Sequence, residues 1–250
     1  YDDLKPFSDE DLFQHFLKHG IEEGRITNRI KTRVEFLKLI PANADILEIG
    51  PFYNPIVRGE KVKYFDVLNY EELIARATAL GHPTDTVPFI HFADPKGDLD
   101  IVTEQFDAIV SSHNIEHQPD LIGHLQKVER LLRPGGYYFC IIPDKRYCFD
   151  HFMPETTIAD IYTRHRDELK VHYLKSVIEH IALVTHNFPT QHWRGEHGEK
   201  YKELGDRLND AVGLFDRSNG EYLDVHAHHF TPGTFSEIIG CLKDLKFTNL

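Results

Sequence analysis

Apolar positions recur along the chain with two periods, and the switching between them predicts the architecture. Over residues 9–40, Ile26, Ile30, Val34 and Leu37 step by four and three, one stripe of a helix, and Pro41 and Asn43 stop it. Asp45-Ile46-Leu47-Glu48-Ile49-Gly50 is a short apolar run ending in glycine, as a buried strand does. Residues 62–68 read as a second strand, and 70–80 as a helix with Leu73, Ala77 and Leu80 on one side. Residues 89–94 read as a third strand, 106–111 as a fourth, and 121–132 as a helix closed by Arg133-Pro134-Gly135-Gly136. A fifth strand is predicted over 137–142, a helix over 235–245 after Thr231-Pro232-Gly233, and the start of a sixth strand at Phe247.

Buried strands alternating with helices predict an α/β protein, a Rossmann-like, doubly wound and mostly parallel sheet with helices on both faces. Right-handed crossovers put the strand C-termini on one edge, where ligands bind. Residues 145–229 break the rhythm with a long, polar segment that has helical stretches around 156–185. The expected organisation is an N-terminal helical segment over 1–42, a Rossmann-like domain over 43–144 and 230–250, and an insertion or lid over 145–229 that covers the ligand-binding edge.

Composition narrows the class. Lys+Arg 28 against Asp+Glu 40 gives a net charge of −12, which disfavours nucleic acid and anionic lipid as partners. No stretch reaches the roughly 18 uncharged apolar residues of a membrane span, and no signal peptide opens the chain, so a cytoplasmic protein is expected. Cys140, Cys148 and Cys241 form no C-x-x-C, against a disulfide framework or a zinc ribbon. The chain opens on Tyr1 and closes on Lys246-Phe247-Thr248-Asn249-Leu250, which predicts one domain of a longer polypeptide. Histidine is in excess at 17 residues, many of them after position 150.

The strand ends carry the candidate chemistry. Gly50 would let the backbone approach a ligand, Asp66 could accept both hydroxyls of a ribose, and Asp94 could reach an adenine amino group. Each alone is equally a strand-ending turn; together they describe an adenosine site. His113, Glu116 and His117 follow the fourth strand. Histidine has a suitable pKa to take a hydroxyl proton, although Glu116 and His117 could simply cap the next helix. Asp144 follows the fifth strand and is expected across the cleft from His113. Lys145 and Arg146 supply cations for an anionic sugar or phosphate, or else form a solvated loop or pair with Asp150. Asp224, His226 and His228 alternate, which on a strand points all three to one face, a spacing for a divalent metal or for hydrogen bonds to a carbohydrate. Trp193 could stack on a sugar, with buried packing the expected alternative.

These motifs resemble the class I S-adenosylmethionine-dependent methyltransferases. The likeness lies in D-I-L-E-I-G-P (45–51), Asp66, F-D-A-I-V-S-S-H-N-I-E-H (106–117) and L-L-R-P-G-G-Y-Y-F-C-I-I-P-D (131–144), and resumes near 230. The resemblance implies a cofactor, S-adenosyl-L-methionine. Glu48, Gly50 and Pro51 would line its methionine end, Asp66 its ribose and Asp94 its adenine, with Ser112 and His113 beside the methyl group. His113 would then act as base, with His117 or Asp144 orienting the acceptor and Lys145, Arg146 and His226 binding it. The segment after the fifth strand, with Tyr222-Leu223-Asp224-Val225-His226 and Phe230-Thr231-Pro232, resembles a bacterial subgroup found with polysaccharide and glycan assembly. That implies O-methylation of a sugar or glycan precursor.

One departure matters. The family shows several glycines and a full helix after the first strand, whereas Pro51, Phe52, Tyr53, Asn54 and Pro55 stand here. Only about ten residues precede the second strand, where a parallel crossover normally takes a dozen or more. A short helix or irregular loop is expected, with Asn54 a contact to the cofactor. A nicotinamide-dependent sugar oxidoreductase or epimerase is the first alternative. It lacks the G-x-G-x-x-G, and its Tyr-x-x-x-Lys pair, Tyr1 and Lys5, precedes the first strand. A non-catalytic methyltransferase-like scaffold is the second.

Overall fold

The computed structural model describes residue 30 and residues 32–250; most of the helix expected over 9–40, including Ile26, lies outside the described residues. The chain divides into two compact units, Tyr1–Ala44 and Asp45–Leu250. In the first, the short helix α1 (Arg33–Leu37) is opened by a reciprocal cap: Thr32 Oγ1 accepts from Glu35 N, and Glu35 accepts from Thr32 N.

The second unit is built on β1 (Ile46–Ile49), β2 (Val62–Asp66), β3 (Phe92–Ala93), β4 (Phe106–Ser112) and β5 (Leu132–Ile141). They pair in the order β3-β2-β1-β4-β5, all parallel. This is the predicted Rossmann-like sheet. Alternate strand residues face opposite ways: Leu47, Ile49, Phe65 and Ile109 join one core cluster, Val62 and Tyr64 another. Helix α2 (Tyr70–Ala79) covers the latter with Leu73 and Ala77, and helix α3 (Leu121–Leu131) covers the former with Val128 and Leu131. Leu73 is 1% exposed, so Leu73→Ala would cost about 2–5 kcal/mol. Asn69 with Glu72, and Asp120 through Gly123 N, cap the two helices.

Three local departures from the sequence pattern have physical causes. β3 is only two residues long because His91 Nδ1 accepts from Tyr64 N (3.2 Å), putting a ring nitrogen where a strand carbonyl would continue the ladder. The Arg133-Pro134-Gly135-Gly136 segment lies inside β5 as a bulge rather than ahead of it. Gly135 sits at φ +81°, and a Cβ on Gly136 would come within 2.9 Å of Asp107 O, so both positions need glycine. The expected sixth strand does not form: Phe247 O accepts from Gln126 Nε2, and Thr248 and Asn249 bond Glu129, which lays the tail along α3. The β1–β2 connection is an irregular loop with no helix, as its length requires.

After β5 come helices α4 (Ile158–Arg166), α5 (Leu174–Ile178) continuing as a wider π-turn through Leu183, α6 (Pro189–Trp193), α7 (Leu204–Ser218) and finally α8 (Pro232–Asp244). Helix α7 was not expected, although Leu204, Leu208, Ala211 and Phe215 carry its stripe. Its Ala211 packs with Val177, Ala182 and Val225 in a small core of the inserted segment.

Candidate functional site

The chain runs β1, β2, β3 to one side and then crosses back to β4 and β5 on the other. The switch point therefore lies between the C-terminal ends of β1 and β4, the place where open parallel sheets hold ligands. Gly50 leaves β1 there at φ +71°, and Phe52 follows at φ +46°. Glu48, 2% exposed, accepts from Ile56 N (2.8 Å) and Val57 N (3.1 Å), so its carboxylate shapes the irregular loop that replaces the first helix. Pro51 is buried and its carbonyl accepts from Asn54 N, leaving the Asn54 side chain exposed.

Asp66 ends β2 beside this turn and is 6% exposed. Burial raises its pKa against the opposing hydrogen bonds from Leu68 N and Phe52 N. Asp94 lies one strand further on, where its Oδ1 accepts from Lys96 N and Asp98 N, both at 2.9 Å.

Across the switch point Ser112 ends β4, and His113 follows at φ +52° with its side chain 57% exposed. A non-glycine residue held in the left-handed region at a strand tip is the kind of strain that functional sites carry. Its Nδ1 lies 3.5 Å from Oε1 of Glu116, which is buried at 1%. The Glu116 carbonyl accepts from Ala227 N and His228 N, so the segment before α8 is tied onto the end of β4. This segment is not a strand, and the expected alignment of Asp224, His226 and His228 is not found. Asp224 instead meets Arg76 and His117, whose Nδ1 is 3.0 Å away. His226 Nδ1 meets Asp150 Oδ2 at 2.5 Å, and His228 Nε2 donates to Gln118 O. The main chain turns too irregularly here to keep a two-residue period.

Charge at this cluster is strongly biased. Burial alone would push His117 down, but Asp224, Glu116 and Asp150 outweigh it and raise its pKa. Burial would likewise raise Asp224, yet His117 and Arg76 bring it below the ordinary carboxylate range. His228 is driven well down by burial and stays neutral.

On the β5 side, Asp144 caps the turn Lys145–Tyr147 and is held by Arg146, whose Nε and terminal nitrogen lie 2.9 and 2.6 Å from its two oxygens. Lys145 is 8% exposed and donates from Nζ to His151 O. Trp193 is 67% exposed and stacked on Tyr147 with centroids 3.8 Å apart, contrary to the expected burial. A shallow pocket lined by Asp45, Lys61, Gln105 and Arg133 lies at the opposite, N-terminal strand edge and is remote from these groups.

A five-stranded parallel sheet in this order, flanked by helices, is a Rossmann-like fold with glycine and carboxylate at adjoining strand tips. A family model described as a methyltransferase domain matches residues 21–194, well over half of the chain. The chain belongs to that family, and its class is that of the S-adenosylmethionine-dependent methyltransferases. Among solved structures, the CcbJ methyltransferase from Streptomyces caelestis is similar at 17% identity and a TM-score of 0.30, over 42% of this chain. The match spans 48% of that protein, about half its length. No curated protein matches the chain. No helix among the described residues is long and apolar enough to cross a membrane.

Proposed function

We propose that the chain transfers the methyl group of S-adenosylmethionine to a hydroxyl oxygen of a sugar or glycan precursor. The observation that carries this reading is the buried carboxylate of Asp66, oriented by Phe52 N and Leu68 N next to the Gly50 turn at the switch point. In this reading Asp66 accepts the ribose hydroxyls and Asp94 stands by the adenine. Gly50, Pro51 and Asn54 border the methionine end, which the loop pinned by Glu48 shapes.

Bound cofactor supplies an electrophilic methyl carbon beside Ser112 and His113. His113, the exposed imidazole at the tip of β4, takes the proton of the acceptor hydroxyl. S-adenosylmethionine would supply a sulfonium leaving group for this displacement, so that the oxygen–carbon bond would form as the carbon–sulfur pair is left on sulfur. Asp144 or His117 orients the acceptor. Arg146, His226 and the insertion over 145–229 contribute to its binding, and the exposed Tyr147–Trp193 stack gives an aromatic face for a sugar ring. The same reading puts the reaction in the cytoplasm and gives no part to nucleic acid, consistent with a net charge of −12. A nicotinamide cofactor is disfavoured because the turn after β1 opens no helix to receive a pyrophosphate.

Calorimetric titration tests the reading. S-adenosylhomocysteine is expected to bind in the micromolar range and NADH not to bind. Binding of NADH alone would overturn it, and binding of neither would favour the scaffold alternative.

A further inference from the structure

We propose that Glu116, His117 and His226 form a binding site for a divalent first-row transition cation at the C-terminal end of β4. The three side chains place their ligand atoms within 4.8 Å of one another. Ligands on one such ion lie about 3–3.4 Å apart, given bonds near 2.1 Å, so the widest pair needs to draw in by up to about 1.4–1.8 Å.

Three observations point to a cation. First, Glu116 is 1% exposed and both carboxylate oxygens lack a hydrogen-bond donor. A buried carboxylate left this way is strongly unfavourable unless a positive charge completes it. Second, among the described residues no cation closes on this carboxylate: His117 holds its Nε2 4.0 Å from Glu116 Oε1, too far for a hydrogen bond and wide enough for an ion between them, and the largely exposed His113 reaches only to 3.5 Å without making a hydrogen bond. Third, each imidazole is backed by a carboxylate on its other nitrogen. Asp224 Oδ1 stands 3.0 Å from His117 Nδ1, and Asp150 Oδ2 stands 2.5 Å from His226 Nδ1. For His226 the hydrogen bond to Asp150 fixes the tautomer that leaves the Nε2 lone pair free, the arrangement that metal-bound histidines carry, while Asp224 stands beside His117 Nδ1 without hydrogen-bond geometry.

Two imidazoles and one carboxylate leave further coordination positions open, and the donor set suits zinc, manganese, iron or cobalt over calcium. His113 Nδ1, 3.5 Å from Glu116 Oε1, lies at the exposed rim of the same group. Taken with the methyltransferase reading, on which its role rests, the cation binds the acceptor oxygen and lowers the hydroxyl pKa. The hydroxyl proton passes to His113, the oxygen bonds the methyl carbon, and the carbon–sulfur pair stays on sulfur. His117 then serves the acceptor through the ion.

His151, His192 and His197 form a second imidazole group in the insertion. There His192 Nδ1 and His197 Nδ1 are hydrogen-bonded to each other at 3.1 Å, so the group is satisfied without an ion.

The test uses the whole chain, stripped with a chelator and titrated with Co2+ alone while its visible absorption bands are followed. One equivalent should bind, and His192→Ala should bind it equally well. Glu116→Gln and His226→Ala should each weaken binding at least tenfold while circular dichroism shows the fold retained. Absence of stoichiometric binding, or binding lost in His192→Ala and kept in Glu116→Gln, overturns the site. S-adenosylhomocysteine affinity measured on the same samples separates the two ideas. If Co2+ binds and the nucleoside does not, the methyltransferase reading fails and the metal site stands; the reverse result removes only the metal.

Discussion

Gly50 at the end of β1 and Asn114 just beyond β4 meet across the switch point, where a Cβ on Gly50 would come within 3.3 Å of Asn114 Nδ2. The glycine is favoured by its φ of +71°, and a larger residue would also press on the Asn114 amide. Gly50→Ala should destabilise the fold by about 1–2 kcal/mol, the cost of a left-handed L-residue. It should also weaken S-adenosylhomocysteine binding. Chemical denaturation and calorimetry on the variant check both; unchanged values on both would separate this turn from the ligand.

Asp66 is the anchor assigned to the ribose. Asp66→Ala should lose about 1.5–3 kcal/mol of S-adenosylhomocysteine affinity, the range for a charged hydrogen-bond partner. Its pKa is raised by burial, so binding should begin to fade at a higher pH than for an ordinary exposed carboxylate. Calorimetry from neutral pH downward, with the alanine variant as a flat baseline, measures the effect.

His113 combines an exposed imidazole with left-handed backbone. As the base it should be worth on the order of 10²–10⁴ in rate, so His113→Ala should lose that factor while cofactor affinity changes little. His113→Gly relieves the backbone strain and should raise the unfolding midpoint while turnover falls as far. A glycine variant with near-normal turnover removes His113 from the chemistry.

His124 on α3 is buried against Tyr138, and burial, reinforced by Lys127, pushes its pKa down to about 4. His172 is pushed down to about 3 by burial with Arg164 adding to it. Both pKa values are lowered on folding, so the unfolded chain binds the extra protons. Their stabilising effect is complete above the unfolded value near 6.5 and is lost as pH falls toward 4 and 3. For His124 alone the loss is about 3 kcal/mol. Thermal midpoints should drop over that window and less steeply in His124→Gln; parallel curves would assign the acid sensitivity elsewhere.

The segment over 145–229 supplies Asp150, Asp224 and His226 to the end of β4. If it also admits the acceptor, hydrogen exchange there should slow when cofactor and acceptor bind together, with β1 and β4 unaffected. Equal protection in the free protein would mark it as fixed scaffolding.

The order of the five strands and of the helices α2, α3 and α8 was legible because apolar-rich strand segments alternate with helical stripes, and burial in a parallel sheet demands both; the stripe of α7, set in a polar insertion, was not read. Gly50, Asp66 and His113 were legible as candidates for a related reason: they stand where such runs stop, and strand ends in this topology share one edge. The length of the first crossover likewise announced an irregular loop. The ligands of the proposed cation site were not paired correctly by sequence. Asp224, His226 and His228 share a two-residue period, but their main chain is irregular, so His226 turns to Asp150 and Asp224 to His117. The tail from Phe247 looks like a strand and instead bonds Glu129 on α3. Local pattern records which face a residue would show if its segment were regular. Partners 76 or more positions apart are chosen by packing, and only the folded chain supplies it.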